Sequence, residues 1–125
     1  MKKGLCFIVT CIMILLVVSL AACSSKGETS KKINVTITVT KDHGKQMVAK
    51  KSLQVKDKSN LYRIMKQEFT IKEDNGFIQS INHVTQNEKQ GKYWMLDVNH
   101  RPSPKGAKEV TLHKNDQISW DLHAN

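Results

Sequence analysis

The sequence predicts an α+β domain: a β-grasp-like roll, a mixed sheet of about five strands with one helix packed on one face. Three observations predict it. Ile33, Val35, Ile37 and Val39 alternate with Asn34, Thr36, Thr38 and Thr40, the pattern of a half-buried strand. A short amphipathic helix follows Asn60. A last strand over residues 117–122 sets Ile118, Trp120 and Leu122 on one face.

Taken in order, residues 33–40 run into a turn at Asp42, His43 and Gly44. Residues 47–55 pair back as a second strand with Met47, Ala49, Leu53 and Val55 in one register. Lys51 falls on that same apolar face, so a bulge or an edge position is expected there. Asn60 caps a helix over residues 61–68, in which Leu61, Ile64, Met65 and the following Phe69 cover one side. Asp74, Asn75 and Gly76 form a strong turn signal that introduces a third strand, 77–84. Residues 86–92 are polar with one glycine and read as a mobile loop. Residues 93–99 alternate toward one face and form a core strand that breaks at Asn99 and His100, residue types that tolerate tight-turn angles. Pro102, Pro104, Gly106 and Ala107 lead to a short strand at 109–112, a turn at Asn115 and Asp116, and the last strand. Trp94 and Trp120 share parity with aliphatic neighbours and are expected in one core. Tyr93, Met95 and Asp97 then face the other way, toward a candidate binding surface.

The first 22 residues carry an address. Met1, Lys2 and Lys3 give a positive start, residues 5–19 an apolar stretch, and Leu20, Ala21 and Ala22 precede Cys23. Small residues immediately before a cysteine resemble the lipobox of bacterial lipoproteins, in which Cys23 receives a diacylglycerol. An uncleaved span is the other reading, since the apolar run approaches the roughly 18 residues that cross a bilayer. A plain anchor, however, does not need small residues and a cysteine at that point. The expected organisation is a lipoprotein signal peptide over 1–22, the lipidated cysteine with a flexible tether over 23–32, and a domain over 33–125. The domain is expected to be membrane-anchored on the extracytoplasmic face, held durably by the two or three lipid chains that the resemblance implies. Cys6 and Cys11 leave with the signal, so the exported part has no thiol. That excludes cysteine nucleophiles, cysteine-based zinc sites and disulfides there.

The formal charge of +9 includes Lys2 and Lys3; without them the exported part carries +7. Its lysines are spread along the chain, as on a solvated surface or one attracted to anionic headgroups and wall polymers. No basic motif interleaved with aromatics points to nucleic acid. There is no Gly-x-Ser-x-Gly elbow, phosphate-binding glycine loop or His-Glu-x-x-His, so no enzyme is expected. The five histidines, His43, His83, His100, His113 and His123, show no compact metal-ligand spacing, and no metal site is assigned. His83 and His100 follow strand ends. They are either turn residues or two imidazoles on one edge of the roll, open to a metal or a corrinoid cobalt.

The ordered landmarks from Ile33 onward resemble the transcobalamin C-terminal-like domain family, also catalogued as domain of unknown function 4430. They are the amphipathic first hairpin, Asn60 and Leu61 opening the helix, the run Gly76, Phe77, Ile78, Gln79, Ser80, Ile81 and Asn82, then Trp94 and Met95 leading to Val98 and Asn99. Gly106 with Ala107, and the run from Asn115 to Trp120, complete it. Where the family usually carries glycine, this sequence has His83, His100 and Asn115. The resemblance implies a β-grasp-like domain, which in vertebrate cobalamin carriers is the smaller lobe closing over the corrinoid beside a helical domain. No such helical domain is present in this sequence, so half of a two-lobed site is expected.

Two functions remain open on these grounds. The first is a lipid-anchored module that binds a small ligand, such as a corrinoid or another cofactor, and presents it to a transporter or partner. Its candidate ligand-binding residues are Tyr93, Met95, Asn99, His100 and His83, around the turns at His83 and 99–105 and the loop 86–92. The second is an envelope module that docks on a protein or wall polymer through strand edges and lysines.

Overall fold

The computed structural model describes residues 30–125; the expected signal peptide, Cys23 and most of the expected tether lie outside the described residues. The strands are β1 (Lys32–Lys41), β2 (Gln46–Lys56), β3 (Ile71–Asp74), β4 (Phe77–Ile81), β5 (Val84–Thr85), β6 (Lys92–Val98), β7 (Arg101–Pro102) and β8 (Gln117–Ala124), and one helix, α1 (Leu61–Glu68), follows β2. Five of the strands form a mixed sheet in the order β2-β1-β8-β6-β7, and β3-β4-β5 form a second, small sheet.

The alternation in β1 buries Ile33, Val35, Ile37 and Val39, so this strand takes a central place. On one side it pairs antiparallel with β2, and on the other parallel with β8, Thr36 opposite Gln117 and Lys41 opposite Leu122. Parallel neighbours need a long crossover, and everything from α1 to β7 lies in that crossover. Helix α1 is capped by Asn60, whose side-chain oxygen accepts from the Arg63 N–H. Leu61, Ile64 and Met65, with Phe69 beyond the helix, join the strand residues in one core. Trp94 on β6 lies opposite Leu122 of β8, and Leu96 opposite Trp120, so both indoles do share that core.

Several expectations need correction. The strand expected over 77–84 breaks after Ile81, because Asn82 and His83 take φ of 47° and 67° and turn the chain back as β5. Its two halves belong to the small sheet, together with β3, which the sequence reading missed. Residues 109–112 form no strand. Ala107–Glu109 is a 3-10 turn, and Thr111 makes only an isolated bridge to Asn60. The 86–92 stretch contains a 3-10 turn at Glu88–Gln90 whose Asn87 cap accepts from the Gln90 N–H. Lys51 lies on an edge strand as expected, and its ammonium reaches the Glu68 carbonyl and lies 5.0 Å from the Phe69 ring. The bulge is elsewhere: pairing shifts between Val39 opposite Ala49 and Thr40 opposite Met47. Val48 is the extra residue, so Met47 pairs with outward-facing Thr40 and is 62% exposed instead of joining the core.

Candidate functional site

Strand β6 pairs with β8 along its whole length, but on its other side β7 covers only Asp97 and Val98. Ser103 extends that cover with its N–H to the Leu96 carbonyl at 2.8 Å, and the edge from Tyr93 to Met95 faces β4 of the small sheet across a cleft. A turn at Asn75 and Gly76, with φ of 49° and 84°, joins Asp74 to its partner Phe77. Such a two-residue turn with both φ positive favours the Asn-Gly pair, and it projects Phe77 from the small sheet. Residues 102–109 close a third side. The cleft measures about 1030 Å³ and its lining includes Phe77, Tyr93, Met95, Lys105, Lys108 and His123. That lies at the upper end of the range for small-molecule sites, about 300–1,000 Å³.

Two properties mark this cleft. Phe77 is 70% and Tyr93 42% exposed, large apolar surfaces on opposite walls. Trp94 and Trp120 also line it, and their indole N–H groups are buried without a hydrogen-bond partner among the described residues. A buried donor with no acceptor costs about 1–3 kcal/mol, so the wall of the cleft carries two costly donors just behind its surface.

The structure brings together two of the five residues singled out from sequence: Tyr93 and Met95 both line the cleft. Asn99, His100 and His83 do not. Asn99, at φ 52°, gives its amide to Asp116 Oδ1 at 2.9 Å, and its oxygen accepts from the Gln117 N–H at 2.8 Å. It closes the corner between β6 and β8. Asp116, buried, also accepts from the His113 N–H, the turn-supporting contact its sequence position suggests. His100 and His83 are exposed turn residues at φ 65° and 67°, and Asn115 takes 64°. All three positions where the resemblance leads one to expect glycine thus adopt the left-handed backbone that glycine favours.

A second group of side chains escaped the sequence reading. Asp121 on β8 accepts from the Thr40 hydroxyl, from the His43 and Gly44 N–H groups at 3.0 and 2.9 Å, and pairs with the His123 Nδ1. Burial pushes its carboxyl up, but the bonds from Thr40, Gly44, His123 and His43 outweigh it and hold the carboxyl below its usual value. The His43 and His123 rings stack with centroids 4.1 Å apart. The spacing of Asp121 and His123 on one face of a strand was visible in the sequence. The approach of His43 depends on the β1–β8 pairing and was not.

Comparison with known proteins places this geometry. No curated protein matches the sequence. Among solved structures, a "putative metal binding protein" from Ruminococcus gnavus superposes with a TM-score of 0.58 at 12% identity, over 74% of this chain and 98% of that one. Haptocorrin, in complex with Cbi, superposes with a TM-score of 0.61 at 17% identity, over 76% of this chain and 26% of the haptocorrin chain. At such identities these likenesses establish the fold. Residues 58–124 match the profile of the family described as "Domain of unknown function (DUF4430)", and this stretch runs from just after β2 through the end of β8. That match covers more than half of the chain and makes it a member of the DUF4430 family, with a fold like the matched part of haptocorrin.

Proposed function

We propose that this protein is a lipid-anchored extracytoplasmic module that binds a small ligand in the cleft beside β6 and presents it to a transporter or another envelope protein. The observation that carries the reading is the cleft itself: Phe77 from β4 and Tyr93 from β6 both line it and both leave much of their ring surface exposed. Aromatic walls suit a flat ligand with apolar faces, and the polar lining, with Gln79, Lys105 and Lys108, suits carbonyl or amide oxygens on its rim. A corrinoid has both features, and the fold shared with haptocorrin, whose structure holds Cbi, supports that choice. Haptocorrin is a much longer chain than the part matched here, so the affinity of this single lobe is expected to be modest. The Ruminococcus gnavus protein supports only the general point that this scaffold carries ligands.

Among the described residues no helix is long and apolar enough to cross a membrane. Attachment through Cys23 is proposed from the sequence alone, as is the absence of catalysis.

The test is a calorimetric and absorbance titration of the detergent-solubilised full chain, free of any histidine tag, with cobinamide and with cobalamin. Saturable binding weakened by Tyr93→Ala, and unchanged by His83→Ala or His100→Ala, is the expected result. Absence of heat and of spectral change with both corrinoids removes the corrinoid reading. A corrinoid response untouched by Tyr93→Ala moves the site out of the cleft.

A further inference from the structure

We infer that His43, Asp121 and His123 form a binding site for a divalent transition metal ion of the zinc or copper class, on the outward face of the main sheet. One ring nitrogen of each histidine and one Asp121 oxygen lie within 4.8 Å of one another. Ligand atoms placed tetrahedrally about 2.0–2.1 Å from zinc are roughly 3.3 Å apart, so the set must close by about 1.5 Å at most. His43 is exposed at the tip of the β1–β2 turn, and its ring is free to make that movement.

The donors are held together by backbone, not by chance contact of long side chains. Asp42, His43 and Gly44 all take positive φ, between 57° and 77°. Their conformation aims the His43 and Gly44 N–H groups at the Asp121 carboxylate, and the Asp42 N–H donates to the Leu122 carbonyl at 2.9 Å. The turn is thereby folded onto β8 beside His123. Parallel pairing sets Thr40 opposite Asp121, and the Thr40 hydroxyl fixes the carboxylate from below.

Chemistry selects the ion. Two imidazoles with one carboxylate suit Zn²⁺, Cu²⁺ and Ni²⁺, whereas Mg²⁺ and Ca²⁺ prefer an all-oxygen set. Three protein ligands leave at least one position for water or for an added ligand. When the metal enters, the proton shared by His123 Nδ1 and Asp121 Oδ2 either leaves to solvent, freeing Nδ1, or stays and orients His123 Nε2 toward the ion.

His123 also lines the cleft, but His43 and Asp121 do not, so His43→Asn tests the metal site without altering the wall on which the corrinoid reading rests. The experiment is calorimetric titration of the tag-free full chain with Zn²⁺, with Cu²⁺ electron paramagnetic resonance on the same samples. One ion per chain is expected, with nitrogen coupling in the Cu²⁺ spectrum. His43→Asn keeps a residue suited to positive φ, and His123→Gln keeps a polar side chain. Each is expected to weaken Zn²⁺ at least tenfold and to reduce the nitrogen coupling, with the thermal transition retained. His83→Asn and His100→Asn, also exposed at positive φ, are expected to change neither. Absence of Zn²⁺ binding by the unaltered chain, or binding weakened as much by His83→Asn or His100→Asn as by His43→Asn, overturns the proposal.

Discussion

Asn99 illustrates how a single residue type serves backbone and side chain together. Its left-handed φ of 52° turns β6 into β7, while its amide answers buried Asp116 and the Gln117 N–H. Asn99→Ala removes two hydrogen bonds worth about 1 kcal/mol each and adds strain at a position that disfavours a Cβ without local bonding. A loss of about 2 kcal/mol is expected, lowering Tm by about 10 °C in a domain of this size, as thermal denaturation will measure. Asn99→Gly, which keeps the backbone freedom, is expected to lose less. Tyr62 offers a pH-dependent test. A hydrogen bond to Glu73, burial, and the Glu73 charge raise its phenol above the ordinary 10.0. A group held protonated by the fold stabilises it fully below the unfolded-state value, and that contribution is lost as pH rises through the folded-state value. Stability is therefore expected to fall above about pH 10. Absorbance titration of the phenols is expected to show Tyr62 returning toward its ordinary value in Glu73→Gln.

The β3–β4 hairpin is the element on which the cleft depends. Gly76 sits at φ 84°, and a Cβ there would also meet the Lys108 side chain at 2.5 Å. The lysine end is flexible, so backbone strain dominates, and Gly76→Ala is expected to cost about 1 kcal/mol, lowering Tm by about 5 °C. Phe77 at the foot of this turn is 70% exposed and contributes little to the fold. Phe77→Ser is therefore expected to leave stability within about 0.5 kcal/mol while weakening the ligand of the cleft about tenfold, roughly 1.4 kcal/mol of lost apolar contact. Denaturation and calorimetry on one variant separate the two effects. A fall in Tm with unchanged affinity would show that Phe77 holds the small sheet and does not meet the ligand. The hairpin also shows where local signals succeed and where they stop. Asp74, Asn75 and Gly76 announced their turn, whereas the equivalent bend at Asn82 and His83 was read through as one strand. An imidazole at positive φ carries no signal as plain as glycine, because the same residue type is common in extended chain.

For the whole molecule the first question is where it resides. Cys23→Ser is expected to abolish incorporation of labelled palmitate and to move the protein out of the washed membrane fraction; retention in membranes without label would make the apolar stretch an uncleaved anchor. The amphipathic strands, the capped helix and the family resemblance were legible in the sequence because each rests on local periodicity and spacing. Strand β1 must bury alternate residues, and Asn60 must cap helix α1, whatever their neighbours are. The same parity argument separated Tyr93 and Met95 from the core face that holds Trp94. What only the tertiary structure decided is which faces meet. The sum of apolar burial draws β8 in parallel beside β1, and that pairing alone brings His43 to Asp121 and His123. Separation of β3, β4 and β5 into their own sheet opens the cleft at β6. Periodicity states which way a side chain points from its own strand, but the partner across the gap is chosen by packing of the entire core, and so the sequence determined the elements and their faces while the fold decided the sites.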